Sequence, residues 1–290
     1  MANSLREVKG RIASTESTAQ ITKAMYMVSQ SKVKKAEQNY KQYQDFMKRI
    51  SEMVSNLVAK ANDDFKHELT IEREVKKTAY LVITSDRGLA GAYNSSLLKA
   101  LDEKLSKYNS KDEFIVSSIG KKGFSHILKR GYPTNQKEPT YVRDDVMFVD
   151  VQPLANDLIN LYLSKEIDKL VIVYNHYVNS ITQEIEFKEL LPITNIESKD
   201  SAIDYVYETG VEKTLNIILP IYIQDIIYGI ILDAKTSEHS ARMNSMKNAT
   251  DNANEVIDKL QLLYNRARQS VITTELIDII GGANAIGGDK

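Results

Sequence analysis

Thr84-Ser85-Asp86-Arg87-Gly88-Leu89-Ala90-Gly91 sets hydroxyls, a carboxylate, a guanidinium and two glycines between an apolar run and a helix-like stretch. In α/β folds, backbone amides at such a strand-to-helix turn can receive a phosphate. The spacing matches neither G-x-x-x-x-G-K-[ST] nor G-x-G-x-x-G, so a tight turn or a protein contact is the favoured reading. Gly120-Lys121-Lys122-Gly123 reads the same way. His67, His126, His176 and His239 share no helix face, no H-E-x-x-H occurs and the chain has no cysteine, so no metal site is expected. The serines and acids form no nucleophile elbow or carboxylate pair. The expected chemistry is contact rather than bond-making, with no catalytic residue, cofactor or metal.

Two clusters could make such contacts. Lys23, Met25, Met27, Lys32, Lys34 and Lys35 carry methionines and positive charge near the start of the chain. Arg266, Arg268, Gln269, Thr273 and Glu275 carry hydrogen-bonding groups near its end. The plain alternative for both is a solvated helix face.

The elements that must hold these residues follow from where glycine and proline fall. Neither occurs from Arg11 to Arg87 or from Ile230 to Ile280. Leu5, Val8, Ile12, Thr15, Ala19, Thr22, Tyr26, Ser29, Val33, Ala36, Tyr40, Tyr43, Met47, Ile50, Val54 and Leu57 step by threes and fours, a coiled-coil seam. Ser4 with Glu7 reads as a capping box at its start, and the rod is roughly 80 Å long. Met246, Ala249, Ala253, Val256, Leu260, Leu263, Ala267, Ser270, Thr274 and Ile277 make a second seam, which Ile257, Tyr264 and Val271 widen. Gly281-Gly282 is expected to stop this helix. Pro220 and Gly229 kink or break its upstream part. The small residues Thr15, Ala19, Thr22, Ser29, Ala267, Ser270 and Thr274 either permit close helix approach or meet a third surface. Ile217 to Leu232 is the most apolar stretch, but Pro220, Gln224 and Asp225 interrupt it, so it reads as a buried helix.

Between the seams the chain turns often. Tyr80–Ile83, Phe114–Val116 and Leu170–Tyr174 read as buried strands, and Thr182 to Lys188 as an antiparallel strand beside them. Helices are expected at 94–107, 123–129 and 153–163, with 133–150 as loop. The fold class is α/β plus coiled coil: two long antiparallel terminal helices flanking a Rossmann-like domain. The boundaries are 1–60 for the first helix, 75–200 for the α/β domain and 210–286 for the second. With 38 basic and 39 acidic residues the net charge is -1, which offers nothing to nucleic acid.

Ile21-Thr22-Lys23-Ala24-Met25, Met27-Val28-Ser29 and Lys32 resemble the N-terminal helix of F-type ATP synthase gamma subunits. Tyr264-Asn265-Arg266-Ala267-Arg268-Gln269, with Ile272-Thr273 and Glu275-Leu276, resembles that family's C-terminal signature. So do Ser237-Glu238-His239, Ala241-Arg242-Met243, Met246-Lys247-Asn248-Ala249-Thr250-Asp251 and the Ser85–Leu89 turn. The resemblance implies a non-catalytic rotor shaft that transmits torque between a membrane ring of c subunits and a catalytic ring of alpha and beta subunits. It also implies an epsilon-subunit partner, proton transport by the whole complex, and membrane contact through the complex alone.

Carried onto this chain, the resemblance places Lys23, Met25, Arg268 and Gln269 against a beta subunit. It links Arg242, Thr273 and Glu275 to coupling, and Tyr205, Tyr207 and Glu208 to the c ring, with Lys41, Gln42 and Tyr43 as a second foot. Ala90 stands where some relatives carry cysteine, so thiol regulation is not expected. Without a chloroplast-type insertion or mitochondrial-type presequence, the expectation is the cytoplasmic face of a bacterial cell membrane. The alternative is a static coiled-coil adaptor, whose seam should keep large aliphatics throughout; this one thins toward the chain termini.

Overall fold

The computed structural model describes residues 2–60, 67–194 and 210–287. They form two compact units, Met1–Val28 with Met243–Lys290, and Ser29–Arg242. Helix α1 (Ala2–Lys60) and helix α5 (Val211–Gly287) each contribute to both.

In the first unit the helices pair antiparallel. Leu5, Val8, Ile12, Thr15, Ala19 and Thr22 are all at least partly shielded, as their spacing requires. Thr22 and Thr250 set the register, their hydroxyls 2.8 Å apart. In that register Ala19 lies opposite Ala253, and both are buried. The small seam residues therefore bring the two backbones together, and the hydroxyls of Thr15 and Thr22 return to carbonyls of their own helix.

Six of the ten expected positions of the second seam are shielded, Ala249 among them, as are the widening residues Ile257, Tyr264 and Val271. Met246, Thr250, Ala253, Ile257, Leu260, Tyr264, Ala267, Val271 and Thr274 face inward, while Val256, Leu263, Ser270 and Ile277 are exposed. Val256, Leu263 and Ser270 each precede a true seam residue, and apolar side chains on both flanks leave periodicity unable to choose. Nor does Gly281-Gly282 end the helix, which continues to Gly287. Neither glycine takes a left-handed φ, so neither forms the usual C-terminal cap. At the other end α1 begins at Ala2, which puts Ser4 inside the helix rather than at its cap.

The second unit is built on one four-stranded sheet, ordered β2-β1-β3-β4. Strands β1 (Thr78–Ile83), β2 (Phe114–Ile119) and β3 (Lys169–Tyr177) run parallel, and β4 (Gln183–Leu191) returns antiparallel beside β3. Alternate residues divide between two cores, as strand geometry demands. Ala79, Leu81 and Ile83 face helix α4 (Phe148–Leu163) and the buried flank of α5. Tyr80 and Val82 face helices α2 (Tyr93–Leu105) and α3 (Lys121–Arg130). Cover on both faces explains why the strands read as continuous apolar runs.

Pro220 and Gly229 lie inside an unbroken α5. The carbonyl that Pro220 leaves without its amide belongs to Asn216, which is exposed and open to water. Gly229 has a packing role: a Cβ there would collide with the ring of Tyr43 on α1. That tyrosine's hydroxyl donates to the Asp225 carbonyl at 2.6 Å. One 18-residue window of α5 is long and apolar enough to cross a membrane, yet 56% of it is buried within the protein. Leu215, Leu219, Ile223, Ile227 and Ile231 are the residues that bury it. Helix α4 starts at Phe148, five residues before the expected point, because Asp150 reaches back to the Met147 amide at 2.9 Å.

Candidate functional site

The turn after β1 spends its polar groups on the protein itself. Thr84 Oγ1 donates to the Ile119 carbonyl at 2.9 Å and accepts from the Gly123 amide at 2.8 Å. Asp86 accepts from the Lys121 amide at 3.0 Å, and the Ser85 carbonyl accepts from Lys122 at 3.3 Å. The opening amides of α3, which a phosphate would need, are thus engaged. Gly120 has φ +91°, and any Cβ there would strike the Thr84 carbonyl. The turn locks the ends of β1 and β2 together and leaves Arg87, Gly88 and Leu89 exposed.

Next to it α5 is buried on all sides from Ile231 to Ser240, although the segment carries Asp233, Lys235, Glu238 and His239. Asp233, Lys235 and Glu238 each have a polar or charged partner, while the buried Nδ1 of His239 has none among the described residues. Asp233 accepts from His176 Nδ1 at 2.6 Å and from the Tyr177 amide at 2.8 Å. Glu238 binds Arg242 at 2.8 Å and Lys235 at 3.4 Å. Arg242 Nε also points at the Gly88 carbonyl, 3.4 Å away. Asp144, from the loop before α4, takes Lys32 of α1 and lies 3.5 Å from His239 and 3.8 Å from Lys235. Burial would raise the Asp144 carboxyl, but the bond from Lys32 and the charges of His239, Lys235 and Lys32 outweigh it and hold it below its ordinary value. Burial pulls His239 below the usual imidazole value. Arg242 is therefore tied into the α/β unit, apart from Thr273 and Glu275, with which the sequence groups it. Glu238 and His239 belong to the family signature read from the sequence but carry no assigned role there, and Asp144 and Lys235 are not among the sequence-based candidates. The available signal was four charged or titratable groups crowded into an otherwise buried helix.

On the paired helices Lys23 is exposed and Met25 half-buried, while Arg268, Gln269, Thr273 and Glu275 are exposed. The Thr273 hydroxyl donates to the Gln269 carbonyl at 2.9 Å. In the Thr22–Thr250 register Arg268 lies near the start of α1, about 28 Å along the pair from Lys23. The candidates form two separate levels, not one cluster. The same register places the end of α1 opposite residue 270 of α5. Beyond Thr274 no described side chain is shielded, and Ile272, Leu276, Ile277, Ile279 and Ile280 are 47% to 67% exposed. Lys41 and Gln42 are exposed, but Tyr43 packs inward on Gly229 and edge-on to Tyr228. Tyr205, Tyr207 and Glu208 lie outside the described residues. Among the described residues, no group of three acidic or imidazole side chains is placed to hold a metal.

Comparison with known proteins gives a consistent result. The family model for ATP synthase matches residues 4–286. A chain of the Tetrahymena thermophila mitochondrial ATP synthase central stalk and c-ring is 26% identical; the match covers 79% of this chain and 99% of that one, with a TM-score of 0.59. A chain of the Euglena gracilis mitochondrial ATP synthase is 20% identical over 100% of this chain and 97% of its own, with a TM-score of 0.68. A chain of the Euglena gracilis rotor is 18% identical over 94% and 100%, with a TM-score of 0.62. With the paired terminal helices, the mixed sheet and a match over nearly its whole length, the chain belongs to the ATP synthase gamma-subunit family.

Proposed function

We propose that this chain is the central rotor shaft of a proton-translocating F-type ATP synthase, itself non-catalytic, working at the cytoplasmic face of a bacterial cell membrane. Its partners are the alpha and beta subunits of the catalytic ring, the epsilon subunit and the ring of c subunits. Membrane contact comes through the complex alone. The observation that carries this reading is the bare tip of α5. A single helix that outruns its partner and exposes Leu276, Ile277, Ile279 and Ile280 needs an apolar sleeve to cover it. A ring of surrounding subunits is such a sleeve, and one that makes few polar bonds lets the helix turn.

In this reading Lys23, Met25, Arg268 and Gln269 contact a beta subunit at two levels of the shaft. Thr273 and Glu275, one to two turns beyond Arg268, serve coupling on the tip. Arg242 serves it from the α/β unit through Glu238 and Gly88. Tyr205, Tyr207 and Glu208 rest on the c ring. Functionally the chain divides into shaft helices at 1–60 and 210–286 and a torque-receiving domain at 75–200. Two helices within a threefold ring present each beta subunit with a different face, which biases the three sites toward different states. A static adaptor has no specific observation in its favour.

The test is to mix the purified chain with alpha and beta subunits from the same source and assay ATPase activity after size exclusion. A large active particle that forms only when this chain is present is the expected result. Failure to form one under several conditions contradicts the proposal.

A further inference from the structure

Lys32 and the Lys235–His239 stretch sit on different helices, yet one loop carboxylate receives both. We propose that Asp144 is a clasp that fastens the α1 and α5 segments of the second unit to that unit's sheet, so that this unit turns as one body; the torque part of this inference rests on the rotor reading above. Asp144 lies in an irregular segment whose own fold does not require a carboxylate there. Val142 and Val146 anchor that segment in the core on either side of it, which fixes the loop and aims Asp144 outward at the helices. Its partners are Lys32 on α1 and Lys235 with His239 on α5. Its neighbour Asp145 pairs only with Arg143, two residues away, at the surface.

Charge and burial decide how much the clasp matters. An exposed pair such as Lys32–Asp144 alone contributes little. Lys235 and His239 are different, being only 7% and 3% exposed. Without Asp144, Lys235 keeps Glu238 alone, a carboxylate that Arg242 also claims. A buried cation that loses part of its counter-charge is destabilised far more than an exposed one. The whole set lies within the second unit, among its last α5 residues before Met243 and near its first α1 residue, Ser29.

The experiment compares Asp144→Ala, Asp144→Glu and the control Asp145→Ala, first in the full chain and then in the assembled complex. In the full chain, Asp144→Ala should lower the unfolding midpoint by about 3 °C. Amide exchange at residues 29–36 and 235–242 should quicken about fivefold. Asp144→Glu should recover most of both, and Asp145→Ala should change neither. In the complex, Asp144→Ala should widen the angular fluctuation of the shaft and lower the protons pumped per ATP, with ATP hydrolysis by the catalytic ring unchanged. Unchanged exchange in the full chain overturns the clasp whatever the chain's role. Faster exchange with unchanged fluctuation and pumping overturns its part in torque. If even the unaltered chain forms no complex, the rotor reading falls and the torque role falls with it, while the exchange result still decides the clasp. If Asp144→Ala does not fold, Asp144→Asn, which keeps the shape and removes the charge, carries the same comparison, with faster exchange at 235–242 expected and no change overturning the proposal.

Discussion

Asp225 is a buried carboxylate on α5, and burial pushes its pKa up from the ordinary 3.8 to about 6. The raised value means that the folded state binds a proton more tightly than the unfolded chain. Its contribution to stability is therefore fully present below pH 4 and is lost as pH rises through about 6. Asp225→Asn removes that loss. The variant should match the natural chain near pH 4 and exceed it increasingly up to neutral pH, by about 1 kcal/mol or more once solvent screening is allowed for. Thermal unfolding of both proteins from pH 4 to 8 checks this, and a difference independent of pH contradicts it. His239 runs the other way. Its folded pKa is depressed, so its contribution is present above the ordinary 6.5 and is lost as pH falls below it. Gly229 makes the second residue-scale prediction. Gly229→Ala drives a methyl into the Tyr43 ring and should cost about 1–3 kcal/mol despite alanine's better helix propensity. Tyr43→Ala in the same chain should remove the clash, and a double-mutant cycle of unfolding free energies would read that coupling.

At the scale of elements, no described side chain of α5 beyond Thr274 is shielded. Deleting 275–287 should leave the unfolding midpoint of the isolated chain within about 1 °C, since little apolar area is lost from the core. It should nonetheless lower the coupled activity of the assembled complex. A large loss of stability in the free chain would mean that the tip is packed after all. How far the elements could be read in advance depended on what surrounds each residue. The seam of α1 was legible throughout, because one face repeats at threes and fours over its whole length, and apolar neighbours such as Ile21 and Val28 do not recur to form a second stripe. The lower seam of α5 was not, since Val256 beside Ile257 and Leu263 beside Tyr264 offer two stripes one residue apart. Pro220 and Gly229 suggested a break because tertiary context is invisible locally: one leaves its orphan carbonyl to water and the other is filled by Tyr43. The strands were clear from their apolar runs. The Asp144 cluster was illegible, because it joins residues 32, 144 and 235–242 across three elements and no spacing rule connects them.

For the whole molecule, the account joins stiffness in the shaft to weak attachment at its surfaces. The seam residues Ala19 and Ala253 let the helices close on one another, while Arg268 and Gln269 are exposed. Because both side chains are exposed, Arg268→Ala with Gln269→Ala should leave folding and helix content unchanged and reduce proton pumping per ATP in the complex. A double variant that pumps normally contradicts the assignment of these residues. The most direct measurement is of movement itself. The catalytic ring would be fixed to a surface and a bead attached to an exposed residue of the α/β unit, such as Ser95 replaced by cysteine in this cysteine-free chain. On adding ATP, the account predicts that the bead turns continuously in one direction relative to the ring. A bead that stays at a fixed angle while ATP is hydrolysed would show a static scaffold and contradict the rotor reading.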